Sequence, residues 1–126
     1  MNPAWEHAVT HGDVESARRL LQTGQDIDAR DRHGQTALML AAHQGHQTLL
    51  ELLLENGADL NVTAKYHLSA LMLAVVAGHT AIARLLARAG ADRDIRGTGA
   101  PGFAGKTAYD LMVERGMDEL RQDLQP

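Results

Sequence analysis

The stretch GQTALMLAAHQGHQTLLELLLENGADLN, from Gly34 to Asn61, decides the fold. It returns 33 residues later as HLSALMLAVVAGHTAIARLLARAGADRD, from His67 to Asp94, and a shortened copy, GKTAYDLMVERGMDEL, runs from Gly105 to Leu120. Gly12, Gly45 and Gly78 keep the same spacing. So do Gly24, Gly57 and Gly90, each followed two residues later by Asp26, Asp59 or Asp92. Two glycine series with one spacing define an internal repeat, and a period of this size marks a supersecondary unit that stacks on its neighbours.

Each copy carries two short helical patterns separated by glycine, too short to be stable alone, so stacking must stabilise them. Leu38, Ala41 and Ala42 give the first helix a small-residue face that allows close approach to a neighbour. Leu49, Leu50, Leu53 and Leu54 recur at helical spacing in the second, and Ile82, Ala83, Leu86 and Ala87 replace them one repeat later. Asn2 followed by Pro3 reads as a helix start, and Gly24, Gly57 and Gly90 stand where helices end in a left-handed residue. The first helix pair is therefore expected over about Pro3 to Thr23.

With these motifs in place, the chain resembles the ankyrin-repeat family, whose unit opens G-x-T-P-L-H-x-A-A and continues through G-H to G-A-D-x-N. Thr36-Ala37-Leu38-Met39, Ser69-Ala70-Leu71-Met72 and Thr107-Ala108-Tyr109-Asp110 take the T-P-L-H positions, with alanine for proline and the histidine lost. Gly45-His46, Gly78-His79, Gly57-Ala58-Asp59 and Gly90-Ala91-Asp92 match without departure. The resemblance implies an all-α solenoid of four stacked helix-turn-helix repeats with projecting β-hairpin or loop tips. It also implies that His46 and His79 hydrogen-bond at the turn between helices. We divide residues 1–126 as one domain into repeats at about 2–30, 31–63, 64–96 and 97–126. The first and last are expected to be polar caps that complete the stack, since open apolar ends would aggregate. In the same register Arg18, Glu51 and Arg84 are equivalent, as are Gln22, Glu55 and Arg88. Ion pairs between neighbouring repeats, worth about 0.2–1 kcal/mol each, are expected from the alternating signs.

Composition narrows the function. The 126 residues include 12 basic and 16 acidic side chains, a net charge of −4, and one Trp, two Tyr and one Phe. That sign and that aromatic poverty disfavour nucleic acid. Absence of cysteine removes thiolate catalysis and cysteine-ligated metals. The first residues lack a secretory pattern, and no window approaches the ~18 apolar residues of a membrane span, so no membrane association and a cytoplasmic location are expected. Seven histidines invite a metal reading, with His7 and His11 or His43 and His46 suitably spaced. His46 and His79 belong to the repeat, however, and no third ligand is indicated, so neither metal nor other cofactor is expected. No pocket for acid–base catalysis is apparent, and Asp26, Asp59 and Asp92 are explained as turn residues.

The rival reading is a nucleotide-dependent enzyme. Ala100-Pro101-Gly102-Phe103-Ala104-Gly105-Lys106-Thr107 matches a relaxed phosphate loop. Such a loop must follow a buried strand, and the preceding Ala91 to Arg96 is too charged to be one. Gly105-Lys106-Thr107 is also the ordinary opening of the fourth repeat. A third reading is a structural oligomerisation module.

Two departures interrupt the period. Asp28 to Thr36 and Asn61 to Ser69 each span eight residues, whereas Asp94 to Thr107 spans thirteen, so five extra residues enter one tip, a Gly-rich segment expected to be mobile. One repeat earlier, Ala64 and His67 replace the tip aspartate and glycine that stand at Asp31 and Gly34. His tolerates positive φ better than most residues. The leading expectation is a monomeric, non-catalytic scaffold that binds a protein partner, and the resemblance places recognition on the tips and the exposed ends of the inner helices. The tips, Arg30 to Gln35, Thr63 to Leu68 and Arg96 to Lys106, sum to +4, leaving −8 elsewhere, which suits an acidic segment of the partner. Candidate contact residues are Arg30, Arg32, His33, Gln35, Lys65, Tyr66, Leu68, Arg96 and Phe103 on the tips, with His43, Gln44 and Val76 in the groove. Tyr66 and Phe103 are the expected anchors.

Overall fold

The structure, a computed structural model, describes residues 1–125. Its helices are α1 (Pro3–His11), α2 (Val14–Gln22), α3 (Ala37–Gln44), α4 (Gln47–Glu55), α5 (Ala70–Ala77), α6 (Thr80–Arg88), α7 (Ala108–Glu114) and α8 (Arg121–Leu124). One-turn 3₁₀ segments stand at Lys65–His67 and Asp118–Leu120. The odd-numbered helices form an inner row in which each touches the next, and the even-numbered ones a parallel outer row.

The helix boundaries follow from side-chain caps. Asn2 Oδ1 accepts from Ala4 N at 2.8 Å ahead of Pro3, and the chain leaves α1 through Gly12 at φ 66°. The buried hydroxyls of Thr36, Ser69 and Thr107 accept from Met39 N, Met72 N and Asp110 N. The Asp110 carboxylate accepts in return from Thr107 N at 3.0 Å, closing a capping box on α7. These caps explain why a hydroxyl opens each T-A or S-A motif. The methionines that replace the family histidine, Met39 and Met72, are buried in the core.

Leu38, Leu50, Leu53, Leu71, Leu86 and Leu111 are buried in one continuous core, with Ala41, Ala42 and Ala74 between the inner helices. Polar contacts align successive repeats at both ends of the helix pairs. His46 Nε2 donates to Thr10 O at 3.2 Å and His79 Nε2 to His43 O at 3.1 Å, so these bonds join neighbouring repeats rather than one repeat's own turn. On the tip side, Asp28 Oδ1 accepts from Asp59 N at 2.9 Å and Asn61 Oδ1 from Asp92 N at 2.8 Å. Asp26, Asp59 and Asp92 each accept from the amide two residues on, as expected of turn aspartates.

Three expectations are corrected or refined. The tips contain no strand among the described residues. They are loops closed by a few backbone bonds, and the sole ladder contact in them is an isolated bridge from Gly97 to Ala104. The register-equivalent charges of the outer helices, Arg18, Glu51 and Arg84 with Glu55 and Arg88, do not pair with one another either. Arg18 finds Glu15 one turn back on its own helix, and Glu51 accepts from Gln47. Arg84 and Arg88 converge instead on Asp123 of the last helix, at 3.2 and 3.3 Å, because that carboxylate lies between them and is only 14% exposed. The inserted segment, expected to be mobile, is a folded loop described with the third tip below.

At the exposed end of the first pair, His7, Ser16 and Arg19 stand where Leu40, Leu49 and Leu52 stand one repeat on. They border a 390 Å³ depression with Ala4, Ala8 and Leu20. At the other end Arg84 also donates to Glu119 O, Arg93 donates to Gln125 O, and Leu120 and Leu124 are buried.

Replacing Leu71, which is fully buried, by alanine is expected to cost about 2–5 kcal/mol in chemical denaturation, through a cavity in the inner seam. Glycine at 45 serves two ends. Its φ is +85°, and a Cβ there would sit 2.8 Å from the His79 ring, whereas one at Gly57, at φ +79°, meets nothing. Gly57→Ala should therefore cost about 1–3 kcal/mol from backbone strain alone. Gly45→Ala should cost more, and adding His79→Ala to it should be less damaging than the two single losses predict. Burial of Asp123 works to raise its pKa, but the Arg84 and Arg88 hydrogen bonds and charges outweigh it and hold the carboxyl below its ordinary value. A depressed folded-state pKa stabilises above the unfolded value of about 3.9, and that stabilisation disappears as pH falls through the folded value. Asp123→Asn should lower the denaturation midpoint at neutral pH and shrink its fall between about pH 5 and pH 3.

Candidate partner-binding surface

The three tips lie beside one another because their helix pairs are stacked, and each closes differently. In the first, Asp31 N donates to Gln35 O at 2.9 Å, and Asp31 Oδ1 accepts from both His33 N and Gln35 N. Gly34 supplies the one positive φ, at 77°. In the second, Ala64 has no carboxylate to offer. Ala64 N still donates to Leu68 O, but the tip tightens into a 3₁₀ turn with Tyr66 at φ 60° and His67 at φ 59°, two left-handed residues where the first tip needs one. The substitution of glycine by histidine at 67 signalled the second of these. The strain at Tyr66 had no sequence signal.

The insert folds back at its base. Gly97 N donates to Lys106 O and Gly105 N to Gly97 O, both at 2.9 Å. It is also tied to the second tip, since Thr98 N donates to Tyr66 O at 2.8 Å and the His67 ring Nδ1 donates to Arg96 O at 2.9 Å. The Tyr66 and Phe103 rings meet at 5.6 Å between centroids. The two aromatic residues thus hold one tip to the next, and both are half-buried.

Of the twelve residues singled out from the sequence, Gln35, His43, Lys65, Tyr66 and Leu68 line one depression of 180 Å³. Met39, Ala64 and Leu73 complete it, and the sequence carried no signal that Met39 and Leu73 would border this surface. Leu68 is 5% exposed and forms part of its floor. The other seven do not line it. Arg32 and His33 are exposed on the first tip, within hydrogen-bonding distance of each other. Arg30 donates to Gly34 O and Thr63 O, and Arg96 to Gly105 O. Gln44 is exposed at the end of α3, Val76 is half-buried near the end of α5, and Phe103 lies in the insert.

The charges of the tips are unequal in availability. Lys106 is paired with Glu114. Arg30 and Arg96 bond only to carbonyl oxygens, which leaves their positive charge intact, and Lys65 lies 5.0 Å from the Tyr66 ring centroid.

The phosphate-loop reading meets an unsuitable geometry. No strand precedes Ala100 among the described residues. Ala104 N, Gly105 N and Lys106 N already donate to Ala100 O, Gly97 O and Phe103 O, so the amides that would cradle a phosphate are occupied. The Thr107 hydroxyl belongs to the α7 cap. His7 and His11 stack at 4.2 Å, with His11 Nδ1 bonded to His7 O, and no group of three or more metal-ligating side chains forms among the described residues. No described helix is long and apolar enough to cross a membrane.

Comparison with known proteins agrees with this architecture. A family model described as ankyrin repeats, in three copies, matches residues 5–97. The chain belongs to the ankyrin-repeat family, whose members are generally protein–protein interaction modules. Two putative ankyrin repeat proteins of Rickettsia felis are each 38% identical over 52 residues, which is 41% of this chain and 82% and 79% of theirs. A putative ankyrin repeat protein of Rickettsia prowazekii is 51% identical over 35 residues, 28% of this chain and 33% of that protein.

Proposed function

We propose that this protein is a monomeric, cytoplasmic, non-catalytic binding module whose tips and inner-helix groove hold an acidic segment of a protein partner. The repeats at about 2–30, 31–63, 64–96 and 97–126 act as one unit. The observation that carries this reading is a row of exposed cations, Arg30, Arg32, Lys65 and Arg96, on a chain of net charge −4. The one tip carboxylate, Asp31, is engaged by two backbone amides of its own turn. Helices packed ~8–10 Å apart string the three tips along roughly 20 Å, the span of a short extended segment. Opposite charge along such a row steers association and fixes register more than it sets affinity.

Reversing Arg32 and Lys65 to glutamate is expected to slow association with the native partner, recovered by pull-down from the host, and to flatten its salt dependence while leaving unfolding nearly unchanged. Undiminished binding by that variant, or binding lost only on changing Glu51 and Glu55 of α4, would place the interface elsewhere. Calorimetry with ATP or GTP and magnesium addresses the enzyme reading. Micromolar binding abolished by Lys106→Ala would favour it over a scaffold, and a stable concentration-independent assembly in light scattering would favour an oligomerisation module.

A further inference from the structure

We infer that the two departures from the repeat form one device: the insert of the third tip holds the second tip in its strained shape, and the resulting depression takes a single apolar side chain of the acidic partner segment. This rests on the binding role proposed above and goes beyond it in naming what the segment must contain. Tyr66 and His67 both occupy left-handed backbone, which side-chain-bearing residues adopt only when their surroundings enforce it. The surroundings here are the insert. Thr98 N holds the Tyr66 carbonyl, the His67 ring donates to Arg96 O, and Phe103 lies against the Tyr66 ring. Gly99 packs closely here, at φ 77°, and a Cβ on it would come within 3.1 Å of Tyr66 Cδ1.

Held in this way, Tyr66 forms a wall of the 180 Å³ depression whose floor is apolar, with Met39, Leu68 and Leu73. A cavity of ~150 Å³ accommodates a benzene ring, so the space suits one leucine- or phenylalanine-sized side chain. Its rim explains why the neighbouring residues of that segment should be acidic. Lys65 borders the opening, Arg32 stands exposed on the adjoining tip, and none of the eight lining residues is acidic. The occupant is thus an acidic peptide segment carrying one apolar anchor.

The test uses the full chain, ¹⁵N-labelled, titrated with a synthetic peptide of one leucine flanked by four glutamates on each side, and with the same peptide carrying alanine instead of leucine. The leucine peptide is expected to bind about tenfold more tightly, shifting the amides of Met39, Ala64 to Leu68 and Leu73. Phe103→Ala, which releases the wall, and Ala64→Phe, which fills the space, should each erase that preference while leaving the alanine peptide's affinity within about twofold. Equal affinity of the two peptides, with binding still abolished by the Arg32→Glu and Lys65→Glu pair, would overturn the pocket and leave the acidic-segment reading standing. Binding of neither peptide, or equally good binding when glutamine replaces glutamate, would overturn both. A leucine preference unaffected by both Phe103→Ala and Ala64→Phe would overturn the coupling of insert and pocket.

Discussion

Everything in this molecule depends on the lateral burial of one short helix pair against the next. No described helix exceeds nine residues, a length at which isolated helices are marginal in water, so each exists because its neighbour covers its apolar face. Burial alone is indifferent to small slips of one pair along another. The direct polar contacts between repeats are not. A histidine ring donating to a carbonyl of the preceding pair at one end, and an aspartate or asparagine accepting an amide of the following repeat at the other, are satisfied in a single register. Gly12 and Gly45 follow from the same constraint, because the His46 and His79 rings occupy the space that a Cβ would need.

This constraint explains which parts of the fold were legible in the sequence. A 33-residue period in glycine, aspartate and leucine is the direct imprint of stacking, so the helix pairs, the Asn2-Pro3 start, the glycine ends and the buried leucines are legible in it, whereas the hydroxyl caps of the inner helices are not. His7, Ser16 and Arg19 stand in the sequence where the next repeat has Leu40, Leu49 and Leu52, so the more polar face of the first pair can be read from the register. The outer-helix charges misled for the complementary reason. Register assigns equivalent positions but says nothing of side-chain reach, and Arg18 has a carboxylate within one turn of its own helix. Arg84 and Arg88 have a better partner in Asp123, which stands on the last outer helix beyond the quoted shortened copy.

The tips are the part that stacking does not dictate, and there the sequence was informative about composition and silent about geometry. The excess of cations could be counted. That Lys106 is neutralised by Glu114, or that Tyr66 joins His67 in left-handed backbone, could not. Five of the candidate residues meet in one depression because Gln35 of the first tip, His43 of α3 and the second tip border the same space. Arg30 and Arg96 donate to tip carbonyls while remaining exposed, and Phe103 packs against Tyr66. Met39 stands on the buried side of α3 and is 1% exposed, so its place in the depression depends on the tip geometry and not on its position in the period.

The phosphate-like loop illustrates how one set of residues is assigned by context rather than by spacing. A glycine, a lysine and a threonine in series bind phosphate when backbone amides are left free at the head of a helix. Here the five extra residues let the chain fold back, so Gly97 and Phe103 supply the carbonyls that engage Gly105 N and Lys106 N. The threonine then does what Thr36 and Ser69 do in the earlier repeats and caps an inner helix. With its amides engaged internally, the loop has other surfaces to offer: Thr98 N and the Phe103 ring, both turned to the second tip. A feature that resembles a catalytic motif in sequence is, in three dimensions, the brace that shapes the neighbouring tip.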